Sequence, residues 1–303
     1  MKVGINLINF GPAAEPARLA AWARLAEDEG YHSLLTSDHV AITPDVTVRY
    51  PAPFYEPLSL LGYLAGVTER VEIGTTVTIV PYRHPLETAR ALAAIDQLSG
   101  GRLIFGVGVG WAAEEFAALG VPFGRRGALT DEYLDVIVRH WTEERISHDG
   151  TVSFHDVDTA PRPLRPPPIW VGGGSEAALR RAARHGAWHP IRQRPSTFAD
   201  RSIPRLRAAA EAEGRPLPDL CPRIQFHLSD RPAPADRLFG EGTIEQLGED
   251  LALLEDLGCQ HVILDSFNAA AQDASATLAF DKIEDDYRRV AAEVFDLARG
   301  TVR

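Results

Sequence analysis

The sequence predicts a (β/α)₈ barrel, on three observations. Short runs rich in Val, Ile and Leu alternate with amphipathic stretches of Ala, Leu, Arg and Glu all along the chain. The apolar runs are continuous, as in strands buried on both faces of a parallel sheet. The chain has 303 residues, and roughly eight such units in about 250 to 300 residues is the size of this barrel. A doubly wound open sheet competes. It would place a glycine-rich fingerprint after the first strand, where this chain reads NFGPAAEP.

Taken in order, residues 2–7 (KVGINL) read as the first strand. Residues 15–29 read as a helix with Leu19, Trp22, Leu25 and Ala26 on one face, stopped by Gly30. Residues 33–38 (SLLTSD) form the next strand, and a Pro-containing loop over 41–56 leads to a helix near 57–67. A strand at 71–80 (VEIGTTVTIV) precedes a helix at 86–98, closed by Ser99-Gly100-Gly101, and a strand at 102–109 (RLIFGVGV) follows. Residues 112–144 are helical with a break between Gly120 and Gly124. Residues 146–168 interrupt the rhythm, with HDGTVSF as a hairpin strand and APRPLRPPP as an extended stretch. This insertion is too short for a second domain, so residues 1–303 read as one. The alternation resumes with strand 169–172 (IWVG), helix 175–185, strand 187–190 and a helix near 199–213. Strand 223–228 (RIQFHL), helix 243–257, strand 261–266 (HVILDS) and a last helix at 281–299 complete the chain.

Composition excludes several function classes. A net charge of −11 argues against nucleic acid, whose phosphates recruit basic patches. No apolar run reaches the roughly 18 to 20 residues of a membrane helix. The start, MKVGINLINF, has one Lys and no small-residue cleavage site, so the expected location is the cytoplasm. Cys221 and Cys259 are far apart and outside metal-ligand spacing; they read as reduced, packed thiols, and no metal is expected. Of 31 basic residues only Lys2 and Lys282 are lysines, which leaves 29 arginines. So even a bias reads as codon preference in a GC-rich genome.

In a (β/α)₈ barrel the active site lies at the C-terminal ends of the strands, so polar and glycine residues just past each strand are candidates. Four clusters qualify. Asp38 and His39 follow the second strand and suit acid/base chemistry, since His titrates near neutral pH; a capping Asp and a surface His are the alternative. Gly74-Thr75-Thr76-Val77-Thr78 either receives a ligand closely or is a β-branched core strand. Gly106-Val107-Gly108-Val109-Gly110-Trp111 lacks the spacing of a dinucleotide fingerprint but still allows close backbone approach. Trp111 would wall a pocket or fill the core. Gly172-Gly173-Gly174-Ser175 opens a helix and offers free N–H groups to a phosphate, or is a flexible capped turn. His84 reads as a loop residue near the mouth, and His155 and His185 receive no role.

These residues carry a resemblance. TSDHV (36–40), the block 71–127 with SGGR, GVGVGW and EEF, the block 161–188 with IWVGGGSEAAL, and LLEDLGCQHVILD (253–265) resemble the bacterial-luciferase-like flavin and deazaflavin oxidoreductases. The likeness spans nearly the whole chain. It implies the same barrel, and it is strongest to the subgroup assigned to coenzyme F420, an 8-hydroxy-5-deazaflavin; other subgroups use FMN. It implies that Asp38 and His39 are the acid/base and ring-contacting pair. Thr75, Thr76 and Val77 match the strand under the ring, with a non-proline cis peptide expected at Thr76–Val77. Val109, Gly110 and Glu114 match the turn beside the cofactor tail, and Gly173, Gly174 and Ser175 the phosphate-binding turn. Sugar-phosphate dehydrogenase relatives carry a carboxylate where Trp111 stands, and phosphate-binding lysines that this chain cannot supply. A sugar phosphate is therefore not the expected substrate. Trp111, Tyr50, Phe54 and His189 are the candidate substrate-pocket residues, with Tyr55 and the stretch HPIRQRPST (189–197) beside them.

The expected activity is hydride transfer between the deazaflavin and a small organic substrate. His39, held by Asp38 or a neighbour, would give or take the proton. An FMN-dependent monooxygenase on the same barrel is the alternative, and a cofactor-free binding barrel the third reading. Homodimers are common in the family, although the sequence marks no interface.

Overall fold

A computed structural model describes residues 1–12, 14–267 and 280–303. Strand β1 (Lys2–Leu7) is followed by α1 (Pro16–Glu29), which Pro16 opens and Gly30 closes at φ 89°. This is the stop that glycine supplies without a Cβ clash. Then come β2 (Ser33–Thr36), the single turn α2 (Pro44–Thr47) and α3 (Pro57–Val67), whose first turn Glu56 caps by accepting from the Ser59 N–H at 2.7 Å. The strand expected over 71–80 is two pieces, β3 (Glu72–Thr75) and β4 (Thr78–Ile79), and Thr76–Val77 between them is a cis peptide. Helix α4 (Pro85–Ser99), with His84 as its cap, leads to β5 (Leu103–Gly108), α5 (Ala113–Ala118) and α6 (Arg126–Thr142). His84 is thus structural at its Nδ1, which accepts from the Leu86 N–H at 3.3 Å.

The interruption in the rhythm is an antiparallel hairpin, β6 (Arg145–Asp149) and β7 (Ser153–Asp158). Next are β8 (Ile169–Gly172), α7 (Glu176–His185), β9 (Gly186–His189), the short α8 (Pro195–Thr197) and α9 (Ile203–Ala212). The strand expected at 223–228 is part of a broken series, β10 (Asp219–Leu220), β11 (Arg223–Gln225) and β12 (His227–Leu228). Strand β13 (Glu241–Gly242) pairs with β12; α10 (Ile244–Asp256), opened by a Thr243/Gln246 capping box, precedes β14 (His261–Asp265). The last helix, α11 (Phe280–Arg289), ends sooner than the helix expected over 281–299. The backbone winds through Val290–Val294 into a small antiparallel pair, β15 (Phe295–Asp296) and β16 (Thr301–Val302), which buries Phe295 completely.

The main sheet runs β10-β9-β8-β5-β3-β2-β1-β14-β11, with β4 beside β5, and all its pairs are parallel. Both ends of this order lie on one stretch, residues 219–225, so the sheet curls round on itself. Pleating then sorts the side chains. Leu34, Phe105, Trp188, Val262 and Leu264 point outward into the main core beneath the helices. Leu35, Ile104, Trp170, Ala187, Cys221 and Ile263 form a separate apolar cluster. Burying a side chain such as Leu35 or Ile263 stabilises the fold by roughly 1.5 to 3 kcal/mol. Two residues further along those six strands stand Ser37, Gly106, Gly172, His189, Arg223 and Asp265. The sequence therefore changes from apolar to polar or glycine at or near the ends of these strands, and that change builds the mouth.

Cys221 and Cys259 are both buried and free. Burial pushes both thiols up, Cys259 to about 12, so neither carries thiolate character at neutral pH.

Candidate active site

His39 lies just past β2 and is buried. Its Nδ1–H donates to Glu115 Oε2 at 2.6 Å. The same oxygen accepts the Tyr82 hydroxyl at 2.9 Å, while Oε1 accepts the N–H groups of Val40 at 2.6 Å and Ala41 at 3.0 Å. Glu115 is fully buried, and these four donors fill its acceptor sites. Burial acts to raise its carboxyl. The bond and charge of His39, with Val40 and Tyr82, bring it below its ordinary value, so it stays a carboxylate at neutral pH. Burial, reinforced by the Glu115 charge, pushes the Tyr82 phenol well above its ordinary range, so it remains a donor. With Nδ1 held this way, Nε2 is the ring's other nitrogen, and it has no hydrogen-bond partner among the described residues.

The pairing shows which neighbour holds His39. Asp38 does not hold His39. Its Oδ2 accepts the Ile79 N–H and Arg83 Nη1, both at 2.8 Å, and its Oδ1 accepts Arg83 Nη2 at 2.8 Å. Arg83 also reaches Glu56 at 2.8 Å. Asp38 therefore ties the end of β2 to β4 and, through Arg83, to the Glu56 cap of α3, and it is buried doing so. Glu114 is exposed, and its backbone N–H donates to Asp45 at 3.2 Å. The buried carboxylate is its neighbour, Glu115.

Aromatic rings surround His39. Its ring centroid lies 5.1 Å from Tyr50, 5.4 Å from Phe54 and 5.8 Å from Trp111. Phe10 stacks on Phe54 at 5.1 Å, and Phe267 sits 5.3 Å from Tyr50. Trp111 is 38% exposed and carries the Arg49 guanidinium 4.5 Å above its ring. Three of the expected pocket residues, Tyr50, Phe54 and Trp111, thus meet around His39. Tyr55 lines a different cavity of about 250 Å³ with Leu19, Leu60 and Tyr63.

His189 is a further correction. It is completely buried, with Nδ1–H on the Cys221 carbonyl, so its Nε2 must accept, and the Thr76 hydroxyl donates to it at 2.8 Å. Burial, helped by the Arg223 charge, pushes its pKa down to about 4. Both ring nitrogens are used inside the protein, so His189 shapes the mouth from beneath and has no free nitrogen for a substrate.

Thr75, Thr76 and Val77 sit at the end of β3. Thr75 donates its hydroxyl to the Gly106 carbonyl at 2.7 Å. Val77 is half-buried above the glycines: a Cβ on Gly108 would lie 2.6 Å from Val77 Cγ2, and one on Gly172 3.2 Å from Cγ1. Val109 and Gly110 are half-buried at the rim; Gly110 has φ 77°, and a Cβ there would meet Ile79 at 2.7 Å. Gly173, Gly174 and Ser175 are exposed at the start of α7. Ser175 caps that helix by accepting the Ala178 N–H at 3.2 Å, while the Gly173 carbonyl accepts Trp188 Nε1 at 2.7 Å. The N–H groups of Glu176 and Ala177, ahead of Ala178 in the first turn, have no partner within the helix, which suits an anion.

A model of the luciferase-like monooxygenase family matches residues 1–299. The chain belongs to this family. A relative, the F420-dependent glucose-6-phosphate dehydrogenase of Kineococcus radiotolerans, is 32% identical over 230 residues, covering 74% of this chain and 67% of that protein. A solved F420-dependent secondary alcohol dehydrogenase, holding an F420–acetone adduct, superposes with a TM-score of 0.75 at 17% identity, covering 95% of this chain and 97% of that one. The oxygenating constituent of 3,6-diketocamphane monooxygenase from Pseudomonas putida, with FMN, gives 0.76 at 17% identity, covering all of this chain and 99% of that one. Both structures share the fold.

Sequence reasoning about this luciferase-like enzyme missed Glu115, Arg223 and Asp265. Asp265 was findable, as an acid ending a buried strand. Arg223 was not, because it opens the stretch read as a strand. A cavity of about 650 Å³ also exists at the opposite end of the sheet, lined by Lys2, His32, Glu72 and Arg102. Lys2 and Glu72 begin their strands and His32 and Arg102 precede theirs, so this cavity is remote from His39 and is not the mouth.

Proposed function

We propose that the chain is a single (β/α)₈ barrel domain that carries out F420-dependent two-electron oxidation or reduction of a small organic substrate. One observation carries the reading: a buried histidine at the strand ends, fixed at Nδ1 by a saturated carboxylate and, among the described residues, unpartnered at Nε2. The residues present suit a flat ring with an anionic tail. Thr75, Thr76 and Val77 would bed the ring, Val109 and Gly110 would flank it, and the exposed N–H groups at Gly173, Gly174 and Ser175 would take the phosphate. When bound, the deazaflavin supplies a two-electron hydride donor or acceptor.

The protein's own part is control of the proton. Neutral His39 takes the hydroxyl proton of an alcohol at Nε2; in the reverse direction the imidazolium returns it to a carbonyl oxygen. Glu115 keeps the Nδ1 proton in place and stabilises the charged ring, so only Nε2 exchanges. The aromatic wall favours an uncharged, apolar substrate. Asp38, Arg83, Asp265 and Arg223 are consumed in ion pairs, and Arg49 lies over Trp111. A sugar phosphate would find no lysine in the mouth, in contrast to what the name of the Kineococcus relative implies for that protein.

The test is a fluorescence titration of the purified protein with F420 and, separately, with FMN. The proposal expects tight binding of F420 and weak binding of FMN. FMN alone would favour an oxygen-using monooxygenase, a reading that the FMN-bound fold neighbour keeps open. Binding of neither would overturn both.

A further inference from the structure

The Thr76 unit is gripped from across the mouth, by a residue to which the reaction above gives no role. Arg223 Nη1 donates to the Thr76 carbonyl oxygen at 2.8 Å and lies 3.3 Å from its hydroxyl oxygen. Nε of the same guanidinium donates to Asp265 Oδ2 at 2.8 Å, and Nη2 lies 2.6 Å from that oxygen. Asp265 is held in turn: its Oδ1 accepts Asn6 Nδ2 at 2.7 Å and the Phe267 N–H at 3.1 Å. His189 takes the Thr76 hydroxyl from the side of β9. Four strand ends, β1, β9, β11 and β14, thus converge on one threonine at the end of β3.

Thr76 is the residue before Val77, and Val77 is the half-buried side chain lying over Gly108 and Gly172. Moving the Thr76 carbonyl would move the Val77 backbone with it. The glycines at 108 and 172 leave the space that Val77 fills: a Cβ on Gly108 would lie 2.6 Å from its Cγ2, so the place of the Val77 side chain follows its own backbone. The planar guanidinium reaches the carbonyl and the carboxylate from different nitrogens held at a fixed spacing; a lysine ammonium would have to serve both from one nitrogen on a flexible stem.

We infer that Arg223 is a positioning residue for the cofactor: held by Asp265 and Asn6, it fixes the Thr76 carbonyl and so sets the Val77 surface on which the ring rests. This rests on the deazaflavin reading above. It assigns Arg223 no contact with substrate and no proton to transfer.

The experiment titrates the wild-type chain with F420 and with FMN, then repeats the titration on variants with whichever flavin binds. Melting temperature is followed in parallel. Arg223→Lys keeps a cation beside the buried Asp265, so the fold is retained while the fork is lost. It should bind the flavin at least about tenfold more weakly, with a melting temperature within a few degrees of wild type. The double variant Arg223→Met, Asp265→Asn removes the ion pair as a unit, a change that buried pairs tolerate. It should show the same loss of affinity and serves as the second arm if Arg223→Lys fails to fold. Thr76→Val, which keeps the carbonyl grip and removes only a hydroxyl from the cofactor bed, should weaken binding less than Arg223→Lys does. Wild-type affinity in a folded Arg223→Lys or double variant overturns the positioning role, as does a larger loss in Thr76→Val than in either. Wild-type protein that binds neither flavin overturns the cofactor reading itself, and this inference with it.

Discussion

Two histidines end strands at the mouth, and they are opposites. His39 has one nitrogen tied to Glu115 and the other without a partner among the described residues. His189 has both nitrogens tied, one to the Cys221 carbonyl and one to the Thr76 hydroxyl. Both are buried, so burial does not distinguish them. Their partners do. A carboxylate takes the proton of one His39 nitrogen and the other has no partner among the described residues, while a carbonyl and a hydroxyl together use both nitrogens of His189. The lesson is that a histidine becomes a candidate for chemistry by what its second nitrogen lacks.

The comparison can be broken most sharply at His39. His39→Gln should lower turnover by roughly 10²- to 10⁴-fold, the usual worth of a positioned acid/base, with flavin affinity nearly unchanged. Steady-state rates and the fluorescence titration check the two halves. Glu115→Gln is expected next, at about 10- to 100-fold in turnover, because an amide leaves His39 without its counter-charge and places an N–H against donors. Steady-state rates, with the fluorescence titration as a control for binding, measure it. The Glu115 carboxyl is lowered in the fold, so the stability it contributes is present above its unfolded value near 4.5 and is lost only as pH falls through its lower folded value.

Trp111→Ala tests the aromatic wall. It should raise KM for an apolar ketone or alcohol several-fold, with a smaller change in kcat, since it removes binding surface rather than the proton group. Glucose 6-phosphate should be turned over poorly by wild type and variant alike. The last prediction concerns stability rather than turnover and belongs to His189. Its pKa falls from 6.5 unfolded to about 4 folded, so between those values the unfolded chain binds the extra proton and stability drops as pH falls. His189→Gln should flatten that part of the stability curve, by up to about 3 kcal/mol across the window. Urea melts at pH 7 and 4.5 measure it.

Much of this was readable from sequence because strand ends are readable. Asp38, His39, Thr76 and the glycines at 106, 108 and 172 all follow or end apolar runs, and the cis peptide at Thr76–Val77 falls where the family resemblance put it. The errors have local causes. Glu114 and Glu115 are adjacent on a six-residue helix with two buried residues, too short for its period to say which carboxylate points in. Arg223 was passed over because the chain there is a broken strand. Pairing begins at Asp219, stops at Cys221 and Pro222, and resumes at Arg223, so the residue that looked like a start stands two positions past the inward-facing Cys221. His189 was misjudged because sequence shows that a histidine ends a strand but not how many of its nitrogens are taken.

The central claim is that Nε2 of His39 moves the substrate proton while Glu115 holds the ring. Its most direct test is single-turnover hydride transfer, followed by deazaflavin absorbance across pH 5 to 9, in wild type and His39→Gln. The account predicts a pH-dependent rate in wild type and a rate at least about 100-fold lower, with that dependence gone, in a variant that still binds the flavin. A His39→Gln protein that transfers hydride at the wild-type rate with the same pH profile would contradict it.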